Sequence, residues 1–252
     1  MRKSKLQFWG FLAPALISFC IVVIIPTCIG FFYSLTNWNG IVGSDIKFVG
    51  FQNFIDIFTR DNSFVRAFLF TAAFAVCAVI LVNLVGFALA LLVTQKFKGA
   101  TLLRGIFFMP NMIGGLLLGF TWQFIFISIF EAIAKKTGIT AFSGWLSNPE
   151  TGFVGLLILT VWQMSGYMMI VYIAQIQQIP ESVKEAARID GANSFQLMKS
   201  IILPLTMPAF TIGLFLSISN SFKMFDQNLA LTQGGPYKST EMIALNIYNS
   251  AF

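Results

Sequence analysis

The chain has 252 residues, of which 57% are hydrophobic and only 10% charged. A water-soluble domain carries about 25% charged residues, so a soluble enzyme, a disordered chain and a disulfide scaffold are all excluded. What remains is an all-α, polytopic helical membrane protein.

A helix crosses the hydrocarbon core with about 20 apolar residues, and the sparse charges delimit the candidates. The first run follows Lys5 and contains Phe8 to Tyr33. A basic start precedes it, but the run exceeds the roughly 7–15 apolar residues of a cleaved signal peptide and contains Pro26. It reads as a retained span. The second run lies between Arg66 and Lys96, and the third between Arg104 and Glu131. Pro110, Gly114, Gly115 and Gly119 fall inside the third, residues that helical bundles tolerate. Gly115 and Gly119 form a GxxxG pair, a hint of close packing. The fourth run lies between Glu150 and Glu181, the fifth between Lys199 and Lys223. Five spans are visible.

Lys and Arg in short loops set orientation. One side holds Arg2, Lys3 and Lys5, then Lys96, Lys98 and Arg104, then Lys184, Arg188 and Lys199. The opposite side spreads Lys47, Arg60, Arg66, Lys135, Lys136, Lys223 and Lys238 over longer connections. The dense side is expected to be cytoplasmic, with the N-terminus inside and the chain ending outside. Residues 1–66 then form an N-terminal span with an external loop, and 67–252 a core of spans two to five.

The remaining composition narrows the chemistry. Histidine is absent, which removes a His base, metal ligand or proton relay. Cys20, Cys28 and Cys77 lie singly in apolar runs, without the clustering a metal site needs. The net charge of +6 comes with no basic patch interleaved with aromatics, so no nucleic-acid partner is expected. Gly234-Gly-Pro-Tyr-Lys-Ser239 lacks the spacing of a phosphate loop.

The segment 180–204 carries the most information. Pro180 suits a helix start, Glu181 its positive end and Gly191 its C-terminal stop. A short helix of about three turns outside the membrane is expected, then a second leading back into it. Glu185 and Arg188 stand one turn apart and would neutralise each other, while Ala186 and Ala187 leave a strip open to close approach. On composition alone this is equally a solvated connecting helix. Glu185, Ala186, Ala187, Gly191, Ile201, Leu203 and Pro204, however, match the fixed positions of the EAA loop of ABC importer permeases, which this segment resembles.

The resemblance covers nearly the whole chain. Phe11-Leu-Ala-Pro-Ala through Pro26 to Ser34-Leu-Thr-Asn-Trp38-Asn-Gly40 looks like the first span of carbohydrate-type permeases. Phe48 to Phe54, Ser221 to Asp226, Leu231 to Pro236 and Ile247 to Phe252 resemble the same group. A type I importer bundle has a sixth core span after this point, so five of an expected six are visible, as in a truncated chain or fragment.

That family implies one permease of a pair, with two cytoplasmic ATPase subunits that bind the ATP and Mg, an external solute-binding protein, a sugar substrate and the lipid of a bacterial plasma membrane. No cofactor or catalytic residue is expected in this chain. Glu185, Ala186, Ala187, Asp190, Gly191, Leu203 and Pro204 would form the ATPase-coupling element, with Glu185 facing an Arg of the ATPase. Polar groups at membrane depth face a cavity or a partner; Asn83, Asn111, Gln123, Gln163, Tyr167, Asn220 and Ser221 are such groups here, and interhelical hydrogen bonding is the other reading for each. By resemblance to maltose-type permeases the substrate path would hold Asn111, Gly115, Gln163, Tyr167, Ser221 and Met224. Lys223 and Asp226 would pair at its rim. A permease of the same architecture for a non-sugar solute is the near alternative. An ion-coupled secondary transporter would bring acidic or His residues into the spans, and these spans lack them.

Overall fold

A computed structural model describes residues 2–41, 43–95 and 97–251. Lys96 of the charge pattern and Phe252 of the terminal motif lie outside them, as do the side chains of Arg2, Lys3 and Lys5. The chain divides into two compact units, Met1–Val65 and Arg66–Phe252.

In the first unit, α1 (Arg2–Phe19), a wide π turn (Cys20–Ile24) and α2 (Ile25–Ser34) make one apolar span from Gln7 to Ser34. Pro26 follows the π turn after one residue, Ile25. Proline lacks an N–H, and its ring crowds the carbonyl four residues back. Here that carbonyl belongs to Val22, inside the wider turn, where the crowding is relieved. Asn53, on α3 (Gln52–Thr59), then caps the span: its Nδ2 donates to Ser34 O at 2.8 Å and Thr36 O at 2.7 Å. Ser34 O is one of the carbonyls a helix end leaves open, and Thr36 O belongs to the turn that follows. Trp38 lies on Tyr33 with ring centroids 4.3 Å apart.

The second unit is built on α4 (Asn62–Thr94) and α8 (Pro149–Gln177). α4 buries Ala67, Thr71, Ala75, Ala78, Val82, Gly86, Ala90 and Val93. Their spacing of three and four residues is a helical stripe of mostly small side chains. Gly86 lets α8 approach closely, since a Cβ there would lie 2.7 Å from the Met168 Cβ.

The third apolar run is not one helix. α5 (Ala100–Phe108) ends in a 3-10 turn (Met109–Met112), Ile113 and Gly114 are extended, and α6 (Gly115–Phe124) starts afresh. A second π turn (Ile125–Ile129) joins α6 to α7 (Phe130–Thr137), so the span runs from Gly115 to Thr137, past Glu131. The break sits at Pro110.

After α8 come α9 (Glu181–Ile189) and α10 (Ser194–Leu197), whose start carries a capping box between Asn193 and Gln196. A third π turn (Met198–Ile202) leads into α11 (Leu203–Phe222). The fifth span therefore starts at Ser194, ahead of Lys199. Pro204 follows its π turn as Pro26 follows the first. The short α12 (Asp226–Leu231) and α13 (Ile243–Ala251) complete the described chain. Among the described residues the only bridge is Thr36 with Phe48, and there is no strand.

Three helices are tied at their centre by one polar network. Tyr172 Oη on α8 donates to Asn83 Oδ1 on α4 at 2.6 Å, and Asn83 Nδ2 donates to Ser217 Oγ on α11 at 3.1 Å. Gly213 makes room for both side chains. Asn83 is thus an interhelical tie, fully occupied away from the cavity described below.

Candidate functional site

Two helix breaks face each other across α8. One is the Pro110–Gly114 link. The other lies between α11 and α12, where Lys223 to Phe225 leave the helical path. Gln163 stands midway along α8 and reaches both: its Oε1 accepts from Gln227 Nε2 at 2.9 Å, and its Nε2 points at Ile113 O at 3.4 Å. The breaks therefore sit at membrane depth. Irregular backbone is tolerated there only when buried in protein or lining a cavity.

A cavity of about 330 Å³ opens at this place. Asn111 from the first break, Gln163 and Tyr167 from α8, Asn220 from α11, and Lys223, Met224 and Gln227 from around the second break line it. Amide, hydroxyl and ammonium groups converging on one cavity suit a polyhydroxylated ligand. Of the residues expected in the substrate path, Asn111, Gln163, Tyr167 and Met224 come together here.

Gly115 and Ser221 are not in the lining, though Gly115 backs Gln227, whose Cδ would lie 3.1 Å from a Cβ there. Gly115 and Gly119 form the face of α6 against which α12 packs: a Cβ on Gly115 would lie 2.7 Å from the Asp226 Cβ, and one on Gly119 2.5 Å from the Ala230 Cβ. Ser221 is buried and donates to Ser217 O at 2.8 Å within α11. Gln123 donates to Leu231 O at 3.1 Å and ties α6 to α12. Among the described residues Lys223 and Asp226 form no ion pair; Lys223 faces the cavity and Asp226 the α6 surface. Gln227 was not foreseen, because it lies beyond the last apolar run and only the fold returns it to membrane depth.

The second site is α9. Its C-terminus closes with both bonds of a Schellman motif: Ala192 N–H donates to Ala187 O at 2.9 Å and Gly191 N–H to Arg188 O at 3.1 Å. Gly191 has φ +82°, the left-handed region that favours glycine. The local ion pair is Lys184 with Glu181, at 3.1 Å, and not Glu185 with Arg188. Glu185 is exposed and, among the described residues, carries no ion pair. Ala186 is exposed and Ala187 half-buried, with Asp190 beyond them at the helix end. Ile189 and Phe195 add apolar side chains that are 85% and 71% exposed. Leu203 and Pro204 open α11 behind this surface.

Residues 83–252 match the profile of the binding-protein-dependent transport system inner membrane component family. A permease of Thermoanaerobacterium thermosulfurigenes named for transport of starch degradation products is 50% identical over 99% of this chain and 85% of its own. The multiple sugar-binding transport system permease of Streptococcus mutans is 31% identical, covering 100% of this chain and 87% of its own. The trehalose/maltose transport system permease of Thermococcus litoralis is 30% identical, over 98% and 84% respectively. Among solved structures, a bacterial alginate ABC transporter, crystallised with a periplasmic protein holding an alginate pentasaccharide, superposes with TM-score 0.83 at 22% identity. That match covers 98% of this chain and 83% of the other, and it shows a shared fold.

Proposed function

Because this chain belongs to the binding-protein-dependent inner membrane components of ABC transporters, we propose that its second unit is one half of a sugar translocation path, driven through α9 by an ATPase. The observation that carries the reading is Gln163 bridging two helix breaks at mid-span, beside a cavity lined by Asn111, Tyr167, Asn220 and Gln227. The second permease supplies the other wall. Relatives named for starch products, multiple sugars and trehalose/maltose favour neutral oligosaccharides as the cargo.

Coupling follows from α9. A rigid helix, fixed at Gly191 and followed directly by the fifth span, moves that span when its own seat moves. Glu185, the strip of Ala186 and Ala187, and exposed Ile189 form the face for a cytoplasmic ATPase subunit. Two such subunits hold ATP and Mg, and hydrolysis is theirs. An external solute-binding protein delivers the sugar, and the Lys/Arg pattern favours a cytoplasmic N-terminus.

The test is uptake of radiolabelled maltotriose into vesicles containing the complete importer. Uptake should require ATP and fall about tenfold at limiting sugar in Gln163→Ala, the effect of one lost ligand hydrogen bond. Normal uptake by Gln163→Ala would remove the cavity from the path.

A further inference from the structure

α12 has six residues, Asp226–Leu231, too few to hold a helix by its own hydrogen bonds. It nonetheless keeps Gln227 within 2.9 Å of Gln163. α6 holds one side of it, through the close approach of Gly115 and Gly119 and the bond from Gln123 to Leu231 O. Asn228 holds the other. This side chain is fully buried and lies outside the cavity lining. Its Nδ2 donates to Thr232 Oγ1 at 3.0 Å and to Thr240 O at 2.8 Å, while its Oδ1 accepts from Met242 N–H at 2.9 Å. Both amide hydrogens and the oxygen are engaged.

The knot continues outward. Thr240 Oγ1 donates to Gly235 O at 2.6 Å, and Ile243 N–H donates to Thr71 Oγ1 on α4 at 2.9 Å. α12 is thereby pinned, through residues 240–243, to the long helix at the centre of the unit. Successive helical residues point about 100° apart, so the direction of Asn228 sets the direction of Gln227. Rotating α12 would break the bonds to Thr240 O and Met242 N–H and leave these buried groups without partners, which is costly.

We infer that Asn228 is a positioning residue of the sugar path: it touches no sugar, but holds Gln227 in register with Gln163. The inference rests on the cavity being that path.

The experiment uses the full chain in the complete importer, with Cys20, Cys28 and Cys77 replaced by Ser. Gln163→Cys and Gln227→Cys together should be joined by a bifunctional thiosulfonate reagent long enough to replace the two glutamine side chains, and Asn228→Ala should slow that cross-linking at least about fivefold. Asn228→Asp, which keeps the acceptor for Met242 N–H but loses both donors, should fall between and serves if the alanine variant does not reach the membrane. With native glutamines, Asn228→Ala should raise the half-saturating maltotriose concentration about tenfold with a smaller change in maximal rate. That rise should vanish in a Gln227→Ala background, because the two residues act as one unit. A cross-link that never forms, or forms equally fast in every Asn228 variant, overturns the inference, as does an effect that adds fully to Gln227→Ala. If the cross-link depends on Asn228 but Gln227→Ala transports normally, the positioning stands and the sugar-path reading fails.

Discussion

Gln227 donates to Gln163 across 2.9 Å, joining a six-residue helix beyond the fifth span to the midpoint of the fourth. Each glutamine then has polar atoms left for a ligand. Replacing either with Leu removes those atoms and leaves its partner unpaired, at a cost of about 1–3 kcal/mol. Gln163→Leu and Gln227→Leu should each raise the half-saturating sugar concentration by about tenfold or more, and the double variant should do little more than either single one. Michaelis curves of maltotriose uptake measure this; fully additive losses would mean that the pair does not act jointly.

The tie at Asn83 should behave differently. Tyr172→Phe deletes the donor to Asn83 Oδ1 without changing shape. Interhelical hydrogen bonds in membrane bundles are worth about 0.6 kcal/mol on average and up to about 1.7. The variant should lower the thermal midpoint of the detergent-solubilised chain by a few degrees while leaving half-saturation alone. A shift in half-saturation would place Asn83 in the sugar path after all.

Gly119 meets Ala230 where α6 and α12 touch. Gly119→Ala forces the two helices apart, an overpacking that costs about 1–3 kcal/mol. Adding Ala230→Gly should restore most of the lost stability. Melting curves of the single and double variants decide it, and an absence of rescue would show that α12 packs elsewhere.

Orientation is open to labelling. With the native cysteines removed, cysteines at Asp45 and Lys135 should react with an impermeant thiol reagent added to intact cells, and one at Asp190 should not. This follows from the crowding of Lys and Arg in the short loops. Reaction at 190 alone would invert the topology.

Much of this was legible because charges are so rare: wherever they cease for about 20 residues a span must lie, and five do. The α9 segment was legible because Pro180, Glu181 and Gly191 each act locally, on a helix start, its dipole and its end. What the charges hid was the break at Pro110, since an uncharged stretch looks alike whether it is one helix or two. Polar residues in spans were equally ambiguous. Asn83, Asn111 and Ser221 are chemically similar in the sequence, yet only Asn111 faces the cavity; which side of a helix meets a partner depends on how neighbouring helices rotate. Gln227 and Asn228 were beyond reach because α12 owes its place to Gly115, Gly119 and the 240–243 segment.

Coupling through α9 gives the most direct test of the whole reading. Gly191→Val places a β-branched residue at φ +82°, a strained conformation that should disrupt the Schellman closure and misorient the helix. Glu185→Lys reverses the charge on the face offered to the ATPase. In the reconstituted complete importer, both variants should insert normally yet lose most of the ATP hydrolysis stimulated by maltotriose-loaded binding protein. Gly191→Asn, which tolerates the left-handed region, should retain a substantial part. Wild-type stimulation in both Gly191→Val and Glu185→Lys would reduce α9 to a connector and contradict the account.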